Sequence, residues 1–206
     1  MSKKTFLAVA SLNLDVHVRS CSSSGEELGW RAVLARLDLA AKLLPSLSTL
    51  SFTKNGFSNL HIAVRLTLPI FKQFETVDLT DLSLRPEEIF QVFMIAREAI
   101  QHGKLKSLIL TGNSLASVSL EQLVILNDLE RVSLRNTKLR SEKVFALLLA
   151  AVQEGTNLQW LDCEENHCDI DHNPKLYLRA KEKIKTINMY SARNRIKWNL
   201  RDRDPW

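Results

Sequence analysis

The side chains with the most chemical potential lie together in CEENHCDIDH, where Cys163, His167, Cys168 and His172 offer two thiols and two imidazoles. Two sulfur and two nitrogen donors are a set that a tetrahedral zinc ion accepts. Their spacing matches no standard zinc finger, so the reading depends on the element that carries them. A second pairing, Cys21 with His17, combines a nucleophile type with a base type. In an extended strand His17 and Asp15 would share a face, while Cys21 lies past its end in a Ser-rich loop, the place of an ordinary loop cysteine. A third stretch, YSARNRIKWNLRDRDPW, interleaves Arg193, Arg195, Lys197, Arg201 and Arg203 with Tyr190, Trp198 and Trp206. Such a mixture can follow a phosphate backbone and stack on bases, or dock on an anionic membrane. The phosphate-cradling, nucleophile-elbow and zinc-protease motifs G-x-x-x-x-G-K-[ST], G-x-S-x-G and H-E-x-x-H are absent from the sequence. A non-enzymatic chain without cofactor or resident metal is expected.

Composition narrows the class further. With 206 residues, 45% of them hydrophobic, the chain can bury a core as one domain. At the N-terminus, Leu12, Leu14 and Val16 alternate with Ser11, Asn13 and Asp15, which reads as a strand over Val9 to Val18 rather than a signal-peptide core. No segment approaches the roughly 20 apolar residues that span a bilayer. Three cysteines without a paired framework suit a reducing compartment, so an intracellular, cytoplasmic location and a monomer are expected. The net charge of +5 is uneven: residues 173 to 206 hold ten Lys or Arg against three Asp or Glu, and the remainder 18 against 20. The basic character therefore belongs to the C-terminal end alone.

The element that organises these residues is a recurrent spacing. Leu105, Leu108, Leu110, Asn113 and Leu115 fall at offsets 0, +3, +5, +8 and +10, the pattern L-x-x-L-x-L-x-x-N-x-L. Leu47, Leu50, Phe52, Asn55 and Phe57 fill the same positions, with Gly56 easing the turn. Phe74, Val77, Leu79, Leu82 and Leu84 follow, with leucine in the asparagine slot. Leu129, Val132, Leu134, Thr137 and Leu139 place threonine there. Leu158, Leu161, Cys163, Asn166 and Cys168 form the next unit, and Ile184, Ile187 and Met189 begin a last one that breaks at Ala192 and Asn194. The starts are 27, 31, 24, 29 and 26 residues apart. That period leaves room for a helix on each return path. The register also reassigns the cysteines, since Cys163 and Cys168 occupy core positions that small apolar residues fill.

The intervening segments carry helix signals. Pro86 opens a helix whose Ile89, Phe93, Ala96 and Ile100 share a face, closed by Gly103. Ser119 and Gln122 have capping-box spacing, Ser141 leads into Val144, Phe145, Leu148 and Val152 before Gly155, and Asn173 with Pro174 starts a last helix. Ser24 and Glu27 precede an N-terminal helix in which Trp30, Leu34, Leu37, Ala41 and Leu44 share a face until Pro45. Alternating strands and helices of this period predict an α/β horseshoe: a solenoid with parallel strands on the concave face and helices on the convex face. The whole chain, 1–206, reads as one domain, with a capping strand and helix over 1–46, repeats over 47–172, and a capping repeat with the basic tail over 173–206.

From Leu47 to Met189 the chain resembles a leucine-rich-repeat protein of the ribonuclease-inhibitor-like type with irregular repeats. Short irregular units of this kind also resemble the repeat domains of bacterial effectors delivered into host cells, which would place the protein in host cytosol. The resemblance implies a fold and a mode of action, protein–protein recognition, without implying a particular partner.

Positions +2, +4 and +6 remain free of the fold, because their side chains alternate to the outer side of each strand. At +2 stand Thr49, Thr76, Ser107, Arg131, Trp160 and Thr186, at +4 Ser51, Asp78, Ile109, Ser133, Asp162 and Asn188, and at +6 Thr53, Thr80, Thr111, Arg135, Glu164 and Tyr190. Early units present Thr and Ser, whereas later ones present Arg131, Arg135, Trp160, Asp162, Glu164, Asn188 and Tyr190, including the residue types that dominate binding hot spots. A protein partner is expected there. The competing expectation pairs Arg135 with Glu164 and Arg131 with Asp162 across neighbouring strands, leaving a solvated charged face. The basic tail supports an alternative, nucleic-acid or acidic-lipid binding through Arg193, Arg195 and Lys197. Against it, Ile196, Trp198 and Leu200 alternate as a strand that would cover the last repeat.

Overall fold

A computed structural model describes residues 11–13, 39, 48–51, 73–153, 155–168, 173–190 and 197–198. The strands are β1 (Ser11–Asn13), β2 (Thr49–Ser51), β3 (Thr76–Asp78), β4 (Ser107–Ile109), β5 (Arg131–Ser133), β6 (Trp160–Cys163), β7 (Thr186–Tyr190) and β8 (Lys197–Trp198). The helices are α1 (Pro86–Gln101), α2 (Leu120–Val124), α3 (Ser141–Gln153) and α4 (Pro174–Lys181), with a 3₁₀ turn at Ile125–Asp128 after α2. All eight strands form one sheet in sequence order. β1 through β7 are parallel and β8 returns antiparallel on β7. The predicted α/β class and parallel sheet are therefore present.

The apolar spacing explains the register. Leu50, Val77, Leu108, Val132, Leu161 and Ile187 lie opposite one another in successive strands. All six are buried in one cluster with Leu79, Leu110, Leu134, Cys163 and Met189, two residues further along each strand or just past it. The cluster continues into Ile89, Phe93 and Ala96 of α1, Leu123 of α2, Val144 and Leu148 of α3, and Ala180 of α4. Full burial of a leucine-sized side chain stabilises by about 1.5–3 kcal/mol, so this row carries much of the folding free energy. The cysteine reading from register agrees with the placement, for Cys163 and Cys168 are both buried in the cluster.

At the start of the strands, one carbonyl serves two amides of the next strand. Glu75 O accepts from Lys106 N and Ser107 N, Lys106 O from Glu130 N and Arg131 N, and Glu130 O from Gln159 N and Trp160 N. Beyond the strands the chain turns through left-handed backbone at Asp81, Gly112, Asn136 and Glu165, the +7 position of successive units. Gly112 is required for space as well as conformation: a Cβ there would lie 1.8 Å from Asp81 Oδ1. Ladder bonds persist through these turns, as in Gly112 N to Arg135 O and Asn136 N to Glu164 O.

Helix starts follow the sequence signals. Ser119 Oγ accepts from Gln122 N while Ser119 N donates to Gln122 Oε1, closing the capping box of α2. Asn173 Oδ1 accepts from Leu176 N ahead of Pro174. At α1 the backbone N–H of Arg85 donates to Glu88 Oε2 at 2.7 Å, and Arg85 Nη2 pairs with Glu88 Oε1 at 2.9 Å. Ile89, Phe93 and Ala96 are buried and Ile100 packs partly against them, as their spacing predicts. Helices α2 and α3, and α3 and α4, pack side by side. The N-terminal helix expectation falls outside the described residues except at residue 39, which is helical, as do Asn55 to Phe57, Cys21, His17 and His172.

Candidate functional site

The outer face of the sheet is set by strand alternation. In β2 to β5 the middle side chain enters the core and strand alternation turns its two neighbours the other way. Arg131 and Trp160 are direct cross-strand partners, as are Ser133 and Asp162, and Asp162 and Asn188. The sequence thus brings the late-unit residues onto one patch of one face.

Within that patch the Arg131 guanidinium lies over the Trp160 ring, 4.3 Å from its centroid. Such stacking contributes roughly 0.5–1 kcal/mol at exposed sites. Arg131 is exposed and Trp160 half-buried. The expected pairing of Arg131 with Asp162 is replaced by this contact. Arg135 does pair with Glu164, at 3.2 Å, and its second terminal nitrogen donates to Glu165. The hydrogen bond that Arg135 donates to Glu165, with the neighbouring negative charges, raises the Arg135 pKa further above its already high value. Glu165 is a residue that sequence reasoning missed; its adjacency to Glu164 was the available signal, but the left-handed turn that swings it toward Arg135 was not visible.

The +4 row is less open than the alternation suggests. Asp162 is 7% exposed and Ser133 is buried as well, as is Ser107 of the +2 row. Short side chains on closely spaced strands are covered by longer neighbours, so an outward direction does not ensure contact with solvent. Asp162 Oδ1 accepts from Glu164 N at 3.0 Å, repeating the arrangement in which Asp78 Oδ1 accepts from Thr80 N. Burial pushes the Asp162 carboxyl above its ordinary pKa, partly offset by that amide. Ser133 Oγ shares a hydrogen bond with Thr111 Oγ1 at 2.9 Å. Asn188 is half-buried beside Asp162, and Tyr190 ends β7.

The remaining chemical candidates separate. Cys163 is buried, and burial raises its thiol pKa well above the ordinary value, which disfavours the thiolate. His167 is exposed in a bridge to Arg140. Among the described residues no group of three or more His, Cys, Asp or Glu is arranged to hold a metal ion. Lys197 belongs to β8, whereas Arg193 and Arg195 lie outside the described residues. At the opposite, strand-start edge a recess of about 580 Å³ is lined by Ile100, Lys106, Asp128, Glu130, Asn157 and Gln159, among others. It flanks the unit with the shortest return path, a spacing legible in the sequence although the recess was not. Among the described residues no helix is long and apolar enough to cross a membrane.

No family model matches the chain, and no curated protein matches it.

Proposed function

We propose that the chain is a leucine-rich-repeat solenoid of the ribonuclease-inhibitor-like type that binds a protein partner through the outer, concave face of its sheet and catalyses no reaction. The parallel strands in sequence order support this reading, as do the buried residues that recur at the repeat spacing. The observation that carries the function is the Arg131 guanidinium over Trp160, beside the Arg135, Glu164 and Glu165 ion pairs. Tryptophan and arginine concentrate binding energy because each desolvates a large surface while keeping a polar edge. Asp162 contributes by shaping the turn at Glu164, and the partner contact centres on Arg131 and Trp160.

The test compares proteins captured from cell lysate by the full chain and by Trp160→Ala, read by quantitative mass spectrometry. A partner of this face should be depleted by about thirtyfold, the loss of a strong hot spot. Equal capture by both would overturn the assignment of the face. Salt-sensitive binding to RNA or acidic vesicles, lost when Arg193, Arg195 and Lys197 are neutralised, would move the function to the C-terminal segment.

A further inference from the structure

We infer that the partner presents a carboxylate to Arg131, which takes it on the free N–H edge of a guanidinium held in place by Trp160. This rests on the proposed protein-binding role of the outer face and adds the chemistry of the contact. The two arginines of this patch have different partners. Arg135 directs its terminal nitrogens at Glu164 and Glu165. Arg131 holds its guanidinium carbon over the Trp160 ring, 4.3 Å from the centroid, and among the described residues no carboxylate pairs with it. The ring offers no carboxylate oxygen to the Nε–H and terminal N–H groups, which lie in the guanidinium plane. The nearest acid in the adjacent strand does not compete for them, because Asp162 is buried and accepts from Glu164 N.

A planar fork with two parallel donors matches a carboxylate, whose two oxygens accept both bonds at once. Stacking has already restricted the long side chain, so less freedom is lost on binding than for an unsupported arginine. The surrounding charge favours a singly charged group over a phosphate. Glu164 and Glu165 together outweigh the single charge of Arg135 that they pair with, so a group carrying about −1.5 to −2 charges meets more repulsion on this face than a carboxylate. The occupant is therefore an acidic segment of a protein, bearing an Asp, a Glu or a free C-terminal carboxylate.

The probe is a library of short random peptides displayed on phage and selected on the full-length chain, with counter-selection on Trp160→Ala to keep peptides that use this face. Selected peptides should share an acidic residue whose amide replacement weakens binding about tenfold on the wild type and less than about twofold on Arg131→Gln. Arg131→Lys should resemble Arg131→Gln, since it keeps the charge and loses the planar fork, while Arg135→Gln should keep the acidic preference. Trp160-dependent peptides without an acidic residue would overturn the carboxylate and leave the binding face standing. So would tighter binding of a phosphoserine replacement, or equal binding by Arg131→Lys. Selection of peptides that bind regardless of Trp160 would defeat both.

Discussion

Arg131 and Arg135 differ in what their register brings opposite them. The cross-strand neighbour of Arg131 is the Trp160 ring, while Asp162 lies on the diagonal, so the ring takes the guanidinium. Reading the columns without this offset leads to an Arg131–Asp162 pair; the Arg135–Glu164 pair, whose members stand at the same offset, is legible. Asp162 leads to a pH prediction. Its folded pKa is raised, so the folded state holds this proton more tightly than the unfolded chain does. The stability associated with the protonated form is present below the ordinary carboxyl range and is lost as pH rises through the raised value. Asp162→Asn keeps an oxygen for Glu164 N and should remove this loss. Thermal melts from pH 3 to pH 7 should show the variant gaining on the wild type with rising pH; a wild type that gains instead would contradict the burial argument.

At the scale of the element, adjacent units are joined by side chains at the asparagine position. Asn166 Oδ1 accepts from Thr137 N and Leu139 N, and its Nδ2 donates to Leu134 O at 2.6 Å and Cys163 O at 3.1 Å. Asn113 likewise accepts from Leu84 N and donates to Leu79 O. Where threonine replaces asparagine, the backbone carbonyl of Thr137 accepts from Leu115 N instead. The asparagine role was legible from spacing, but the carbonyl substitute was not, because every residue carries one. Asn166→Ala would strand the buried amides of Thr137 and Leu139, each at about 1–3 kcal/mol. A loss of roughly 3 kcal/mol in urea unfolding is expected; a loss below about 1 kcal/mol would show that the surrounding turn relaxes to satisfy them. The starts of α2 and α4 were similarly readable in Ser119, Gln122, Asn173 and Pro174. The α1 start was readable in Pro86, but its cap, with Glu88 folded back on Arg85 N, was not, since arginine is no usual cap.

Over the whole molecule, the recurrent spacing was enough to order β2 to β7, and the alternation from Ser11 to Val16 set β1 ahead of them, because each unit meets chiefly its sequence neighbours. Details set by several units at once, such as the strand-start recess and the covered serines of the outer face, depend on side-chain lengths in adjoining strands and escape a one-dimensional reading. At the free edge of β7, β8 pairs Lys197 with Tyr190 and Trp198 with Met189. Truncation after Tyr190 removes that pairing and should lower the melting temperature by several degrees, the effect of about 1 kcal/mol in a domain of this size. An unchanged melt would deny β8 a stabilising part and leave the basic segment available for other binding. The reversed direction of β8 has a consequence for copies of the chain meeting end to end. Head-to-tail addition of a parallel strand onto β7 would meet, at Met189 and Tyr190, a strand of opposite polarity already paired there, and would have to displace it.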